Sequence, residues 1–183
     1  MNVLMITANP SNKSFTKKVT EKLTELIKEK WYNFFILDLY KTDLKQDFLN
    51  YEDQKEIWKD EITKKIQEKI LWANELIFIF PIWWWDCPAI MKNFFDCNFT
   101  SWFAFKYENW KNIWLLNWKT SKIISFAWWP TFFYKIILHI QILWKLNRMS
   151  FCWIKLKKFI IFWKIQNKET NKDLILKKLK KII

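Results

Sequence analysis

Three short stretches concentrate the residues able to do chemistry. The first, "ANPSNKSFTKK", offers hydroxyls at Ser11, Ser14 and Thr16, the amide of Asn9, and the start of a helical pattern. Backbone N–H groups and the helix dipole at such a place favour an anion, above all a phosphate. It contains neither a GxGxxG run nor a Walker lysine motif. The second, "FPIWWWDCPAIMKNFFD", is an apolar run closed by Pro81, then Ile82, three tryptophans, Asp86 and Pro88. The third, "SFAWWPTFFY", sets Trp128 and Trp129 where a strand hands over to a helix. The chain has one histidine, His139, and Cys87, Cys97 and Cys152 show no CxxC spacing. No carboxylate pair, metal cluster or nucleophile–base set stands out, which argues against hydrolase and metalloenzyme chemistry.

These stretches need elements to hold them. "NVLMIT" (2–7), "NFFILDL" (33–39), "ELIFIF" (75–80), "TSKIISFA" (120–127) and "KKFIIF" (157–162) are apolar runs of strand length. Between them lie helical patterns from Ser14 to Lys30, through about Trp72, from Ala89 to Cys97, over 131–147 and over 170–182. Ser14 suits the N-cap of the first. Residues 99–119 are expected to be irregular and aromatic. The alternation of strand and helix predicts an α/β, flavodoxin-like three-layer sandwich. Its five-stranded parallel sheet has the order 2-1-3-4-5, with helices on both faces, in a single domain over 1–183. Ligands of such sheets bind beyond the carboxyl ends of the strands, at the topological switch point. The loops at 8–16, 81–88 and 126–134 are therefore the ones to inspect.

Composition holds an anomaly. Glycine is absent and tryptophan numbers 15, whereas average usage of about 7% predicts roughly 13 glycines. Several tryptophans stand where chain geometry asks for glycine. Trp31 lies just past a lysine-rich helix end, Trp110 follows Asn109 in a turn-like context, and Trp118 follows Asn117. Trp128 and Trp129 fill a strand-to-helix turn, and Trp102, Trp114, Trp153 and Trp163 are in loop or strand-edge contexts. A residue with a Cβ forced into a left-handed conformation costs about 1–2 kcal/mol, and a whole domain has only about 5–15 kcal/mol to spend. The expectation is that most of these tryptophans are UGA codons read as glycine in the source organism, an alternative genetic code. Trp72, Trp83 and Trp84 are expected to be genuine, with Trp58, Trp85 and Trp144 open.

Pro81, Ile82, Trp84, Pro88, Ala89, Ile90, Lys92, Phe95 and Asp96 form a pattern that resembles the flavodoxin-like NAD(P)H:quinone oxidoreductases. That family includes quinone reductases, modulators of drug activity and ancillary subunits of potassium-efflux systems. "TANPSNKSF" resembles the family's T-A-H-P-x-x-x-S-F with Asn9 in place of histidine, "SFAWWP" its S-T-x-G-G, and "FAFKYENW" its aromatic insertion. The resemblance implies a bound FMN or FAD and NAD(P)H as co-substrate. It implies that Asn9, Ser14, Phe15 and Thr16 hold the phosphate and ribityl chain. Pro81, Ile82, Trp83, Trp84 and Trp85, with Phe126, Ala127, Trp128 and Trp129, would clasp the ring. Trp84 would flank it, and Phe105 and Tyr107 would cap the neighbouring subunit's substrate site in a homodimer. Tyr134 and His139 are the implied catalytic pair, stabilising negative charge on the reduced ring. A partly buried helix histidine is the equal alternative for His139. The implied activity is two-electron, ping-pong hydride transfer from NAD(P)H to a quinone or similar acceptor.

The net charge of +13 admits another partner class, because basic chains attract nucleic acid. The lysines are dispersed, however, and only "LILKKLKKII" concentrates them, as the basic face of an amphipathic helix. No nucleic-acid partner is expected. Charges interrupt every hydrophobic run, and "MNVLMITANP" goes straight into a strand-like stretch, so neither a membrane helix nor a signal peptide is expected. Free thiols and a cytoplasmic location follow. Membrane contact is expected only under the alternative reading, a flavin-binding regulatory subunit of a potassium-efflux transporter.

Overall fold

The computed structural model describes residues 1–53, 56, 60–128, 130, 152, 154–163 and 172–182. The strands are β1 (Asn2–Thr7), β2 (Asn33–Asp38), β3 (Glu75–Pro81), β4 (Phe105–Glu108), β5 (Lys111–Trp114), β6 (Thr120–Ala127) and β7 (Lys155–Trp163). The described helices are α1 (Phe15–Glu29), α2 (Glu61–Trp72), α3 (Ala89–Asn98) and α4 (Lys172–Lys180). Five strands form one parallel sheet in the order β2-β1-β3-β6-β7. This is the expected flavodoxin-like arrangement.

The apolar strands are explained by their two buried faces. Successive side chains of a strand point to opposite sides of a sheet. Leu4, Ile6, Phe78 and Phe80 therefore enter one cluster with Ile66 and Ile70 of α2 and Met91, Phe94 and Phe95 of α3. Val3, Met5, Ile77, Ile79 and Ile124 enter the other with Val19, Leu23 and Ile27 of α1 and Leu179 of α4. Each fully buried side chain of this kind contributes about 1.5–3 kcal/mol.

The helix ends follow local chemistry. Ser14 caps α1, its Oγ accepting from the backbone N–H of Lys17 at 3.2 Å, and Asp60 caps α2 by accepting from the N–H of Thr63 at 2.6 Å. At the other end of α1, Trp31 N–H donates to the Lys28 carbonyl and Tyr32 N–H to the Ile27 carbonyl. That pair of bonds is the Schellman motif, with Trp31 at the position that favours glycine.

One segment differs from expectation. Residues 105–114 are not irregular but form an antiparallel hairpin, β4–β5, with Glu108 opposite Lys111 and Asn109–Trp110 as its two-residue turn. Asn-Gly in that place is a strong hairpin signal, whereas Asn-Trp is not. The expected helix over 131–147 lies outside the described residues, as does the start of the one over 170–182.

β7 is an edge strand carrying Lys155, Lys157 and Lys158. Its register against β6 slips between Ser121 and Lys122, which leaves Lys157 unpaired in the ladder. The Lys157 ammonium lies 3.7 Å from Glu75, a buried carboxylate that also pairs with Lys122 at 2.6 Å.

Candidate functional site

The strand order brings the loops after β1, β3 and β6 to one edge of the sheet, because these strands are adjacent and parallel. Two backbone bonds tie the first residues of two loops to the neighbouring strands there: Ala8 N–H donates to the Ile79 carbonyl of β3 at 3.1 Å, and Ile82 N–H to the Phe126 carbonyl of β6 at 2.8 Å. The switch point lies at β1, whose neighbours β2 and β3 receive crossovers on opposite faces.

The first loop is a polar cradle. Asn9 Nδ2 donates to Thr16 Oγ1 at 3.1 Å, and Asn9 Oδ1 accepts from Ser11 N–H at 3.0 Å. Thr16 is buried, and Thr20 Oγ1 donates to its carbonyl at 2.9 Å. The cleft is lined by Thr7, Asn9, Ser11, Ser14, Thr16 and Thr20, with Lys17 and Lys41 at its rim. Asp38 faces Lys41 at 3.7 Å, and Lys41 also donates to Asn12. Hydroxyls, a helix N-terminus and two ammonium groups suit an anion. The structure thus brings Asn9, Ser14 and Thr16 together. Phe15 points elsewhere, packing edge-on against Phe126 with centroids 5.1 Å apart.

The second loop is a tight turn. Trp83 and Asp86 exchange both backbone hydrogen bonds, each at 2.9 Å, with Trp84 and Trp85 as the two central residues. Their φ values are 48° and 67°, the double left-handed pattern of a type I′ turn. Asp86 Oδ1 accepts from Cys87 N–H at 2.7 Å. The expectation of a genuine, ring-flanking Trp84 therefore meets a backbone that favours glycine, and its indole is 96% exposed. α3 follows at once, with Lys92 paired to Asp96 one turn on.

The third loop leaves β6 after Phe126 and Ala127, both buried, and opens on exposed Trp128. Trp128 does not take the left-handed conformation. Trp129, Tyr134 and His139 lie outside the described residues. Phe105 and Tyr107 sit on the β4–β5 hairpin, Phe105 half-buried beside Trp114 and Tyr107 exposed against Trp110.

Among the described residues no cluster could hold a metal, and Cys87, Cys97 and Cys152 are buried thiols outside any disulfide. Burial pushes Cys97 up to about 11, helped by Asp96 and Asp60, and Cys152 up to about 12. Neither thiol is activated as a nucleophile. No described helix is long and apolar enough to cross a membrane.

Sequence reasoning missed a buried lysine and a buried ion pair. Lys119 is fully buried, donating to the carbonyls of Leu71, at 3.0 Å, and Ala73, with its ammonium 3.5 Å from the centre of the Trp118 ring. Glu75 and Lys122 form the ion pair described above. Both lie toward the amino ends of β3 and β6, away from the candidate site, and no periodicity marks them.

A doubly wound parallel sheet with a polar loop after β1 and two further loops on its carboxyl edge defines an open α/β fold of the kind that takes ligands at that edge. Residues 1–181 match a family described as having a flavodoxin-like fold. The chain belongs to that family.

Among relatives, it is 31% identical over 120 residues to an uncharacterized NAD(P)H oxidoreductase of Haemophilus influenzae, covering 63% of this chain and 59% of the relative. The chain covers between 44% and 59% of the length of the curated relatives it matches. Among solved structures, it is similar to Smu.1420 of Streptococcus mutans, with a TM-score of 0.85 at 26% identity over 100% of this chain and 98% of that one. It also superposes on an FMN-dependent NADH-azoreductase of Bacillus anthracis in complex with FMN. There the TM-score is 0.79 at 15% identity, over 100% of this chain and 97% of the other.

Proposed function

We propose that this chain is a flavin-dependent NAD(P)H:quinone oxidoreductase, moving two electrons as hydride from NAD(P)H to a quinone or similar acceptor in a ping-pong cycle. The observation that carries the reading is the polar cradle of Asn9, Ser14 and Thr16 at the N-terminus of α1, on the edge where the loops after β3 and β6 join. The names of the Haemophilus and Bacillus proteins support it.

The residues present fit the phosphate end of such a cofactor. The cradle offers hydroxyl and amide groups and two ammonium groups, with its nearest carboxylate, Asp38, facing Lys41. FMN or FAD, when bound, supplies the hydride-accepting and hydride-donating ring. Asn9, Ser14 and Thr16 would bind the phosphate and ribityl chain. The backbone of 81–85 and of 126–129 would line the ring and exclude water. Tyr134 and His139 would stabilise negative charge on it. The chain would act as a cytoplasmic homodimer in which Phe105 and Tyr107 cap the site of the other copy.

Reconstitution of the full chain with FMN and FAD, followed by absorbance, tests the reading. Flavin bands that persist through desalting are expected. Bleaching by anaerobic NADH or NADPH and recovery on quinone addition should follow, with parallel initial-rate lines. Absence of bound flavin both in this chain and in a variant with glycine at 84, 85, 128 and 129 overturns it.

A further inference from the structure

Six described residues take left-handed φ angles, and five of them are tryptophans: Trp31 at 57°, Trp84 at 48°, Trp85 at 67°, Trp102 at 67° and Trp110 at 62°. The sixth is Asn109 at 50°, a residue type that visits this region readily. Tryptophan accounts for 15 of 183 residues, so its hold on this rare conformation is far beyond its share. A bulky side chain there is a genuine outlier.

The local motifs are glycine's in kind. Trp31 is the left-handed residue of a Schellman cap, with both of its bonds made. Trp110 completes the two-residue turn of the β4–β5 hairpin after an asparagine, and Trp84–Trp85 form the centre of another such turn. At three of the five, exposure leaves little packing to compensate. Trp31 is 93% exposed, Trp84 96% and Trp110 90%, so three of the largest apolar side chains stand in water at places that need no side chain.

We propose that positions 31, 84, 85, 102 and 110 are glycine in the protein as its own ribosomes make it, inserted at UGA codons that a conventional reading writes as tryptophan. The absence of any glycine in 183 residues is the complement of this pattern. The inference stands apart from the redox reading, because it rests on backbone angles, hydrogen bonds and exposure alone. It also has a boundary. Trp83 closes the turn, and Trp114 and Trp163 lie within strands. Trp118, which has no left-handed φ, faces the Lys119 ammonium. At the candidate site, glycine at 84 and 85 removes two indoles from the end of β3 and leaves a bare backbone turn.

The test compares glycine with alanine at the same positions in the full chain. At 31 and at 110, the glycine variant should exceed the alanine variant in folding equilibrium constant by roughly 5- to 30-fold, read from urea denaturation. At Trp163, in a strand, the order should reverse. Equal glycine and alanine variants at 31 and 110 would overturn the left-handed requirement. The second arm needs no variant. Tandem mass spectrometry of the protein from its own cells should find glycine in the tryptic peptides 31–41 and 107–111, and the gene should carry TGA at these positions. Tryptophan mass in either peptide, or TGG codons, overturns the proposal whatever the stability data give.

Discussion

Asn9 Nδ2 donates a 3.1 Å hydrogen bond to Thr16 Oγ1 and so clips the loop after β1 onto the first turn of α1. The clip holds the polar cleft in shape before any ligand arrives. Asn9→Ala should weaken FMN affinity roughly 3- to 10-fold, the worth of one hydrogen bond, while the thermal midpoint moves little. Fluorescence titration with FMN reads this, and an unchanged affinity would remove Asn9 from the binding role.

Ser14 has a separate, structural job as the N-cap of α1. Ser14→Ala should cost about 1 kcal/mol of stability, and Ser14→Asn should restore most of it. Urea denaturation of the two variants separates capping from ligand binding.

Glu75 and Lys122 are both buried and meet at 2.6 Å. Lys122→Met leaves a carboxylate buried with, among the described residues, only Lys157, at 3.7 Å, and Thr120 for company. The single variant should lose about 3–5 kcal/mol. The double variant Glu75→Leu with Lys122→Met should recover much of that loss. A double variant as unstable as the single would show that the pair is more than a mutual neutralisation.

Alkaline stability should pass through a maximum near pH 9. Burial lowers Lys119 from 10.5 to about 8, against the pull of two carbonyls and an indole face. Above pH 8 the unfolded chain therefore holds a proton that the folded chain has begun to release, and stability rises with pH. Cys97 and Cys152 act in the opposite sense from about pH 9, where an ordinary thiol ionises while these stay protonated to about 11 and 12. Each group sets a slope of at most about 1.4 kcal/mol per pH unit. Lys119→Met should lack the rise between pH 8 and 9 and keep the later fall.

The sheet was legible because each strand is an apolar run flanked by helical patterns, and burial on both faces gives that signature. Ser14 as a cap and the gathering of Asn9, Ser14 and Thr16 were legible for the same reason: capping residues and strand ends have fixed places. The β4–β5 hairpin was only half legible: Asn109–Trp110 reads as a turn, but the strands beside it are four residues long and mostly exposed, with no apolar run to mark them. The left-handed backbone at Trp84 was not legible either, since a tryptophan among tryptophans carries no sign of its φ of 48°. Lys119, Glu75 and Lys122 look like any surface charges in the sequence. Only the packing of α2 and β7 around the amino ends of β3 and β6 makes them interior.

The slipped register of β7 has a bearing on how copies of this chain can meet. Along that strand Lys155 is exposed, and Lys157 is thrown out of the ladder toward Glu75. A second molecule seeking to extend the sheet would have to stack ammonium on ammonium and match an interrupted row of peptide groups. Bulges and lysines on a sheet border both discourage such growth. Strand addition at β7 is thereby discouraged, and the same lysines and slipped register oppose fibril templating along it.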